Sequence, residues 1–111
     1  MPIVNIFYRD PQKESQLLAL AGEIKNFVAR ALTCGDIKLT TDEISVRFIQ
    51  TRGDGMIGVV EIDIHAHAFK ERIEKQDEIC RSVAKFLKAK DPSFQDVKVW
   101  LALSELGHSW D

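Results

Sequence analysis

Residues 43–67 read EISVRFIQTRGDGMIGVVEIDIHAH, and the fold turns on how this stretch divides. Residues 43–51 alternate. Ile44, Val46 and Phe48 fall on one side, Ser45, Arg47, Ile49 and Thr51 on the other, which is the period of a half-buried strand. Gly53-Asp54-Gly55 is a turn signal. A third strand over about residues 56–66 follows it. Val60, Ile62, Ile64 and Ala66 share one face of that strand, and Glu61, Asp63, His65 and His67 share the other.

Each strand has a helix and another strand beyond it. Toward the amino terminus, residues 2–8 (Pro-Ile-Val-Asn-Ile-Phe-Tyr) are rich in strand formers. Asp10-Pro11 opens a helix, a capping carboxylate followed by proline at the first helical position. Leu17, Leu20, Ala21, Ile24, Phe27, Val28 and Ala31 give it one apolar face, and Cys34-Gly35 ends it. Toward the carboxyl terminus, a second helix is predicted over roughly 70–90. Ile73, Ile79, Cys80, Val83, Phe86 and Leu87 point inward, and Lys85, Lys88 and Lys90 sit where cations suit the helix dipole. Asp91-Pro92 breaks it. A fourth strand covers about 96–103, with Val97, Val99, Leu101 and Leu103 alternating against Lys98, Trp100 and Ala102.

The order is β-α-β, glycine turn, β-α-β, the second copy beginning 53–55 residues after the first. The expected fold is α+β: two βαβ units forming one four-stranded mixed sheet, with both helices on one face. Residues 1–111 are read as a single domain with pseudo-repeats at about 2–51 and 56–103. The polar strand faces carry Arg47, Glu61, Asp63, His65 and His67, and are expected to meet water or another subunit.

Composition narrows the function classes. Fifteen Lys and Arg against 17 Asp and Glu leave a formal charge of −2, so nothing marks a nucleic-acid binder. The longest apolar run, Leu17–Ala21, is far short of the ~20 residues a membrane span needs. Arg9 and Asp10 interrupt any secretory signal at the amino terminus. Two cysteines, Cys34 and Cys80, are too few for a disulfide framework, which makes the reducing cytoplasm the expected compartment.

Met1 precedes Pro2, and a small second residue permits removal of the initiator methionine. The chain would then begin with a secondary amine at the first residue of a strand. An α-amine has an ordinary pKa near ~8. Burial and a neighbouring arginine both favour its neutral form, which makes it a candidate general base. Retention of Met1 would turn the same nitrogen into an amide without basicity.

With this layout, the chain resembles the tautomerase superfamily (the 4-oxalocrotonate tautomerase, 5-carboxymethyl-2-hydroxymuconate isomerase and macrophage migration inhibitory factor type). The resemblance rests on Met1-Pro2-Ile3-Val4-Asn5-Ile6 as amino-terminal strand and on Ile44-Ser45-Val46-Arg47-Phe48-Ile49 as the arginine-bearing second strand. The stretch from Gly55 through Gln76 and the tail Gly107-His108-Ser109-Trp110 extend it over essentially the whole chain. The resemblance implies a cofactor-independent keto–enol tautomerase or isomerase of a small unsaturated oxo acid. Pro2 would be the general base and Arg47 the carboxylate clamp, a guanidinium holding a carboxylate through two parallel hydrogen bonds. Arg9 and Arg72 are further candidates to contact substrate, Lys70 being the alternative to Arg72, and the Trp100 indole is the one donor on the last strand. The decarboxylase and dehalogenase branches use closely spaced arginines. Arg47 and Arg52 do not match that spacing, so plain tautomerisation is the simpler reading. The resemblance also implies a homotrimer, with Arg47 serving a neighbour's Pro2.

Other readings of these residues stay open. Arg47 can be a solvated residue paired with Glu61 or Asp63, and Arg9 and Arg72 can be ordinary arginines at element ends. His65 and His67 could share a metal, but two imidazoles are too few for a tight site, and polar face residues are the simpler account. Cys80 reads as a core packer, and Trp100 and Trp110 as pocket wall or interface. The alternative function is a non-catalytic trimeric binding or structural protein of the same fold.

Overall fold

The computed structural model describes residues 2–35, 38–55 and 58–105. Four strands form one sheet in the order β2-β1-β3-β4. They are β1 (Ile3–Tyr8), β2 (Ser45–Gln50), β3 (Val60–His67) and β4 (Val97–Ser104). β1 runs parallel to β2, β3 parallel to β4, and β1 meets β3 antiparallel at the centre. Each parallel pair is joined by helices, as a parallel connection requires. These are α1 (Glu14–Ala19) and α2 (Ala21–Leu32) in the first half, and α3 (Lys70–Glu74) and α4 (Gln76–Lys90) in the second.

The expected alternation decides which face the helices cover. Val4, Ile6 and Tyr8 of β1 and Val60, Ile62, Ile64 and Ala66 of β3 are buried. They pack with Ile24, Val28 and Leu32 of α2 and Ile79, Val83 and Leu87 of α4. The two helices meet through stacked rings of Phe27 and Phe86, 4.4 Å between centroids. Among the described residues, no helix covers the other sheet face.

Asp10 caps a short 3-10 turn over Pro11–Lys13 by accepting from the Gln12 N–H. Gly35 at φ +54° follows the end of α2, and Gly53 at φ +88° lies in the turn between the halves, two left-handed positions where a Cβ would strain the backbone. Both predicted helices are broken rather than continuous, at Leu20 and at Lys75, whose backbones leave helical geometry. The second break corrects one expectation. Ile73, expected inward, is 54% exposed, and Arg72 is the buried residue of that turn. Counting back from Ile79 by two turns reaches Arg72, so the inward slot belongs to the arginine.

Candidate active site

Pro2 is buried and stands immediately before β1, one of the two central strands. A proline fits there because the first residue of a strand can do without a donor. Its carbonyl accepts the Ser45 N–H at 3.1 Å, which ties the start of β1 to the start of β2. Ile3 lies opposite His65 on β3, so the next step of the antiparallel register sets Pro2 beside Ala66, with His67 following.

Arg72 lies at this same end of the sheet. Its Nε donates to the Leu32 carbonyl at 2.8 Å and its Nη1 to the His67 carbonyl at 3.0 Å. The guanidinium carbon sits 4.8 Å from the centre of the Phe69 ring, and the His67 ring packs on Phe69 at 4.6 Å between centroids. Burial pulls the guanidinium below its ordinary pKa, while the nearby Cys34 sulfur works in the opposite direction. Arg72 is thus a buried cation joining the end of α2 to the end of β3.

Arg47 lies elsewhere. It is exposed on the open face of β2, paired in register with Asn5. Pro2 shares the parity of Val4 and Ile6, on the helix side, and Arg47 is about three residues, ~10 Å, further along the sheet. Arg9 is exposed past the far end of β1, about seven residues or ~23 Å from Pro2. Its carbonyl accepts from the Gln50 side chain. Trp100 is 53% exposed on β4, in register with Asp63. Arg47, Asn5, Asp63 and Trp100 therefore form one row across the open face, ~14 Å from edge strand to edge strand. Within that row Asn5 Oδ1 is buried and accepts no hydrogen bond from the described residues.

His65 Nε2 is 2.9 Å from Asp63 Oδ2 on the open face. Among the described residues no group of three or more His, Cys, Asp or Glu is placed to hold a metal ion. Cys34 is buried, and Cys80 packs at the core's margin, where burial pushes its thiol pKa up. A hollow of about 270 Å³ beside Phe7, Thr51, Arg52, Gly55 and Glu61 opens at the far end of β1, away from Pro2. Met1 and the tail from Leu106 onward, Trp110 included, lie outside the described residues. Among the described residues no helix is long and apolar enough to cross a membrane.

The set at the Pro2 end was only partly predictable. Arg72's slot on the inward stripe was a readable signal. Phe69 and Cys34 gave none: Phe69 stands just ahead of α3, and Cys34 lies past the end of α2, far from Arg72 in sequence.

No family model and no curated relative matches the chain. Solved structures do. A malonate semialdehyde decarboxylase structure aligns over 98% of this chain and 90% of its own, with TM-score 0.69 at 15% identity. A fused 4-OT described as a wild-type symmetric trimer aligns over 97% and 92%, with TM-score 0.66 at 12% identity. A macrophage migration inhibitory factor-like protein from Entamoeba histolytica aligns over 97% and 95%, with TM-score 0.63 at 14% identity. These are tautomerase superfamily structures. The chain has the tautomerase fold. At such identities the likeness carries the architecture alone. The four-stranded mixed sheet with its helices on one face, expected from the sequence, is that of the tautomerase fold.

Proposed function

We propose that the protein is a cofactor-independent keto–enol tautomerase or isomerase of a small unsaturated oxo acid, with Pro2, freed by removal of Met1, as general base. The observation that carries this reading is the position of Pro2: buried, at the head of a central strand, in a tautomerase fold. The base takes a proton from carbon next to a carbonyl and returns it elsewhere on the conjugated system. A neutral amine does this without metal or organic cofactor. The Arg72 guanidinium at the same sheet end disfavours a second positive charge on that amine.

Arg47 is the proposed carboxylate clamp. Within one chain it lies about three residues, ~10 Å, along the sheet from Pro2, so the clamp is assigned to the Pro2 of another chain in a homotrimer. The unmatched edges of β2 and β4 and the uncovered sheet face, with Ile49 and Trp100 exposed on it, support association between copies. Arg9 and Trp100 reach a Pro2 site only in the same way. Arg72 is proposed as the source of local positive charge; two of its five N–H donors serve backbone carbonyls and anchor it.

The test is ketonisation of 2-hydroxymuconate or phenylenolpyruvate by untagged protein of verified intact mass. Protein lacking Met1 is expected to accelerate the reaction, and Pro2→Ala to lose at least ~10²-fold in kcat, the usual scale of general-base catalysis. Equal rates for the two would favour the non-catalytic binding protein.

A further inference from the structure

We infer that His67 is a second proton-transfer residue of this site, acting opposite Pro2; the inference rests on the reading of Pro2 as base. The β1–β3 register pairs Ile3 with His65, so Pro2 falls beside Ala66 and its nitrogen, at the strand's end, lies toward His67. His67 is the next residue past that facing position, which puts its Cα roughly 6 Å from that of Pro2, within the reach of an imidazole. His67 shares the open face with Glu61, Asp63 and His65, while Ala66 is buried on the other side.

The ring is held rather than loose. It packs on Phe69, and its own carbonyl accepts from Arg72. On β4 its register partner is Ser104, which brings no charge. Among the described residues, the ionisable groups carried by the neighbouring elements are the Pro2 amine on β1, Asp63 and His65 on β3, Lys70, Glu71 and Arg72 on α3, and Glu105 just past β4. His65 is already engaged with Asp63, whereas His67 lies on the side of the Pro2 nitrogen.

Enolisation moves two protons, one off carbon and one onto oxygen. The Pro2 nitrogen takes the C–H proton and the C–H electron pair becomes the new C=C bond. The carbonyl π pair takes a proton from the His67 imidazolium and forms the enol O–H. Pro2 is left protonated and His67 neutral, and water carries one proton from Pro2 back to His67. No proton is gained or lost overall. An imidazole suits the task because its ordinary pKa lies near neutrality.

The experiment compares phenylenolpyruvate ketonisation by wild type, His67→Gln and Pro2→Ala across pH, with circular dichroism to verify folding. His67→Gln is expected to lose ~10²-fold or more in kcat with KM little changed, and to lose one limb of a bell-shaped profile. Added imidazole is expected to restore activity to His67→Gly. Wild-type kcat in His67→Gln, with Pro2→Ala inactive, would overturn the role of His67 and leave that of Pro2 standing. A one-limbed profile in the wild type would overturn it without any variant. Equal activity in wild type and Pro2→Ala would overturn both.

Discussion

The two halves of the molecule follow one plan, and their helices fill one corresponding buried slot with opposite chemistry. Leu17 in α1 and Arg72 in α3 stand 55 residues apart, and both are buried. Their neighbours match as well. Leu18 and Ile73 are 52% and 54% exposed, Leu20 and Lys75 break their helices, and Ile24, Val28 and Leu32 correspond to Ile79, Val83 and Leu87. The first half plugs this slot with an aliphatic side chain. The second fills it with a guanidinium that has two carbonyl acceptors and an aromatic face. The same backbone plan thus makes a purely apolar corner in one half and an electropositive corner, beside Pro2, in the other.

Exchanging the two residues tests that contrast, and the largest effect is expected from Leu17→Arg. Leu17 is fully buried in the hydrophobic cluster, so an arginine in its place would carry a charge into apolar surroundings. A loss of about 4 kcal/mol or more is expected, measured by urea unfolding. Arg72→Leu comes next. It leaves the Leu32 and His67 carbonyls without their charged donor, at ~1.5 kcal/mol or more for each bond, so about 3 kcal/mol in the same measurement. Should Arg72→Leu prove neutral, the guanidinium would be dispensable to the fold, and the two corners would differ only in charge.

The helix ends differ more mildly. Thr33 ends α2 with its hydroxyl donating to the Ala29 carbonyl, whereas α4 ends at Asp91, whose carboxylate accepts the Ser93 N–H at 2.9 Å. That bond holds Asp91 below the ordinary carboxylate pKa. Its folded pKa is the depressed one, so its contribution is present above the ordinary value and is lost as pH falls through the folded one. Asp91→Asn is expected to lower the urea midpoint slightly at neutral pH, and the difference should close in acid. A constant difference across pH would assign the effect to packing instead.

Most of the architecture was legible because strand alternation and helical spacing survive in single residues. Ile62 and Ile64 against Asp63 and His65 state the covered face of β3, and Gly53 marks the junction of the halves. The helix breaks were not legible, since neither Leu20 nor Lys75 is a glycine or proline. Ile73 was misplaced because hydrophobicity was weighed above phase, and phase puts Arg72 inward. Pro2 was identifiable as a strand-opening residue. Its spatial relation to Arg47 was not, because a strand pattern gives each residue a face but not its register with another strand. Once the register is known, Arg47 falls about three residues along the sheet from Pro2 and Arg9 at the other end of β1.

The proposed chemistry stands on a neutral amine at the head of β1, which ¹⁵N NMR titration of Pro2 in protein of verified intact mass reads at the atom itself. Met1 is expected to be absent and the Pro2 nitrogen to titrate below the ordinary α-amine value near ~8, as burial and the Arg72 charge require. An amine titrating at or above that value, or a mass that retains Met1, would contradict it.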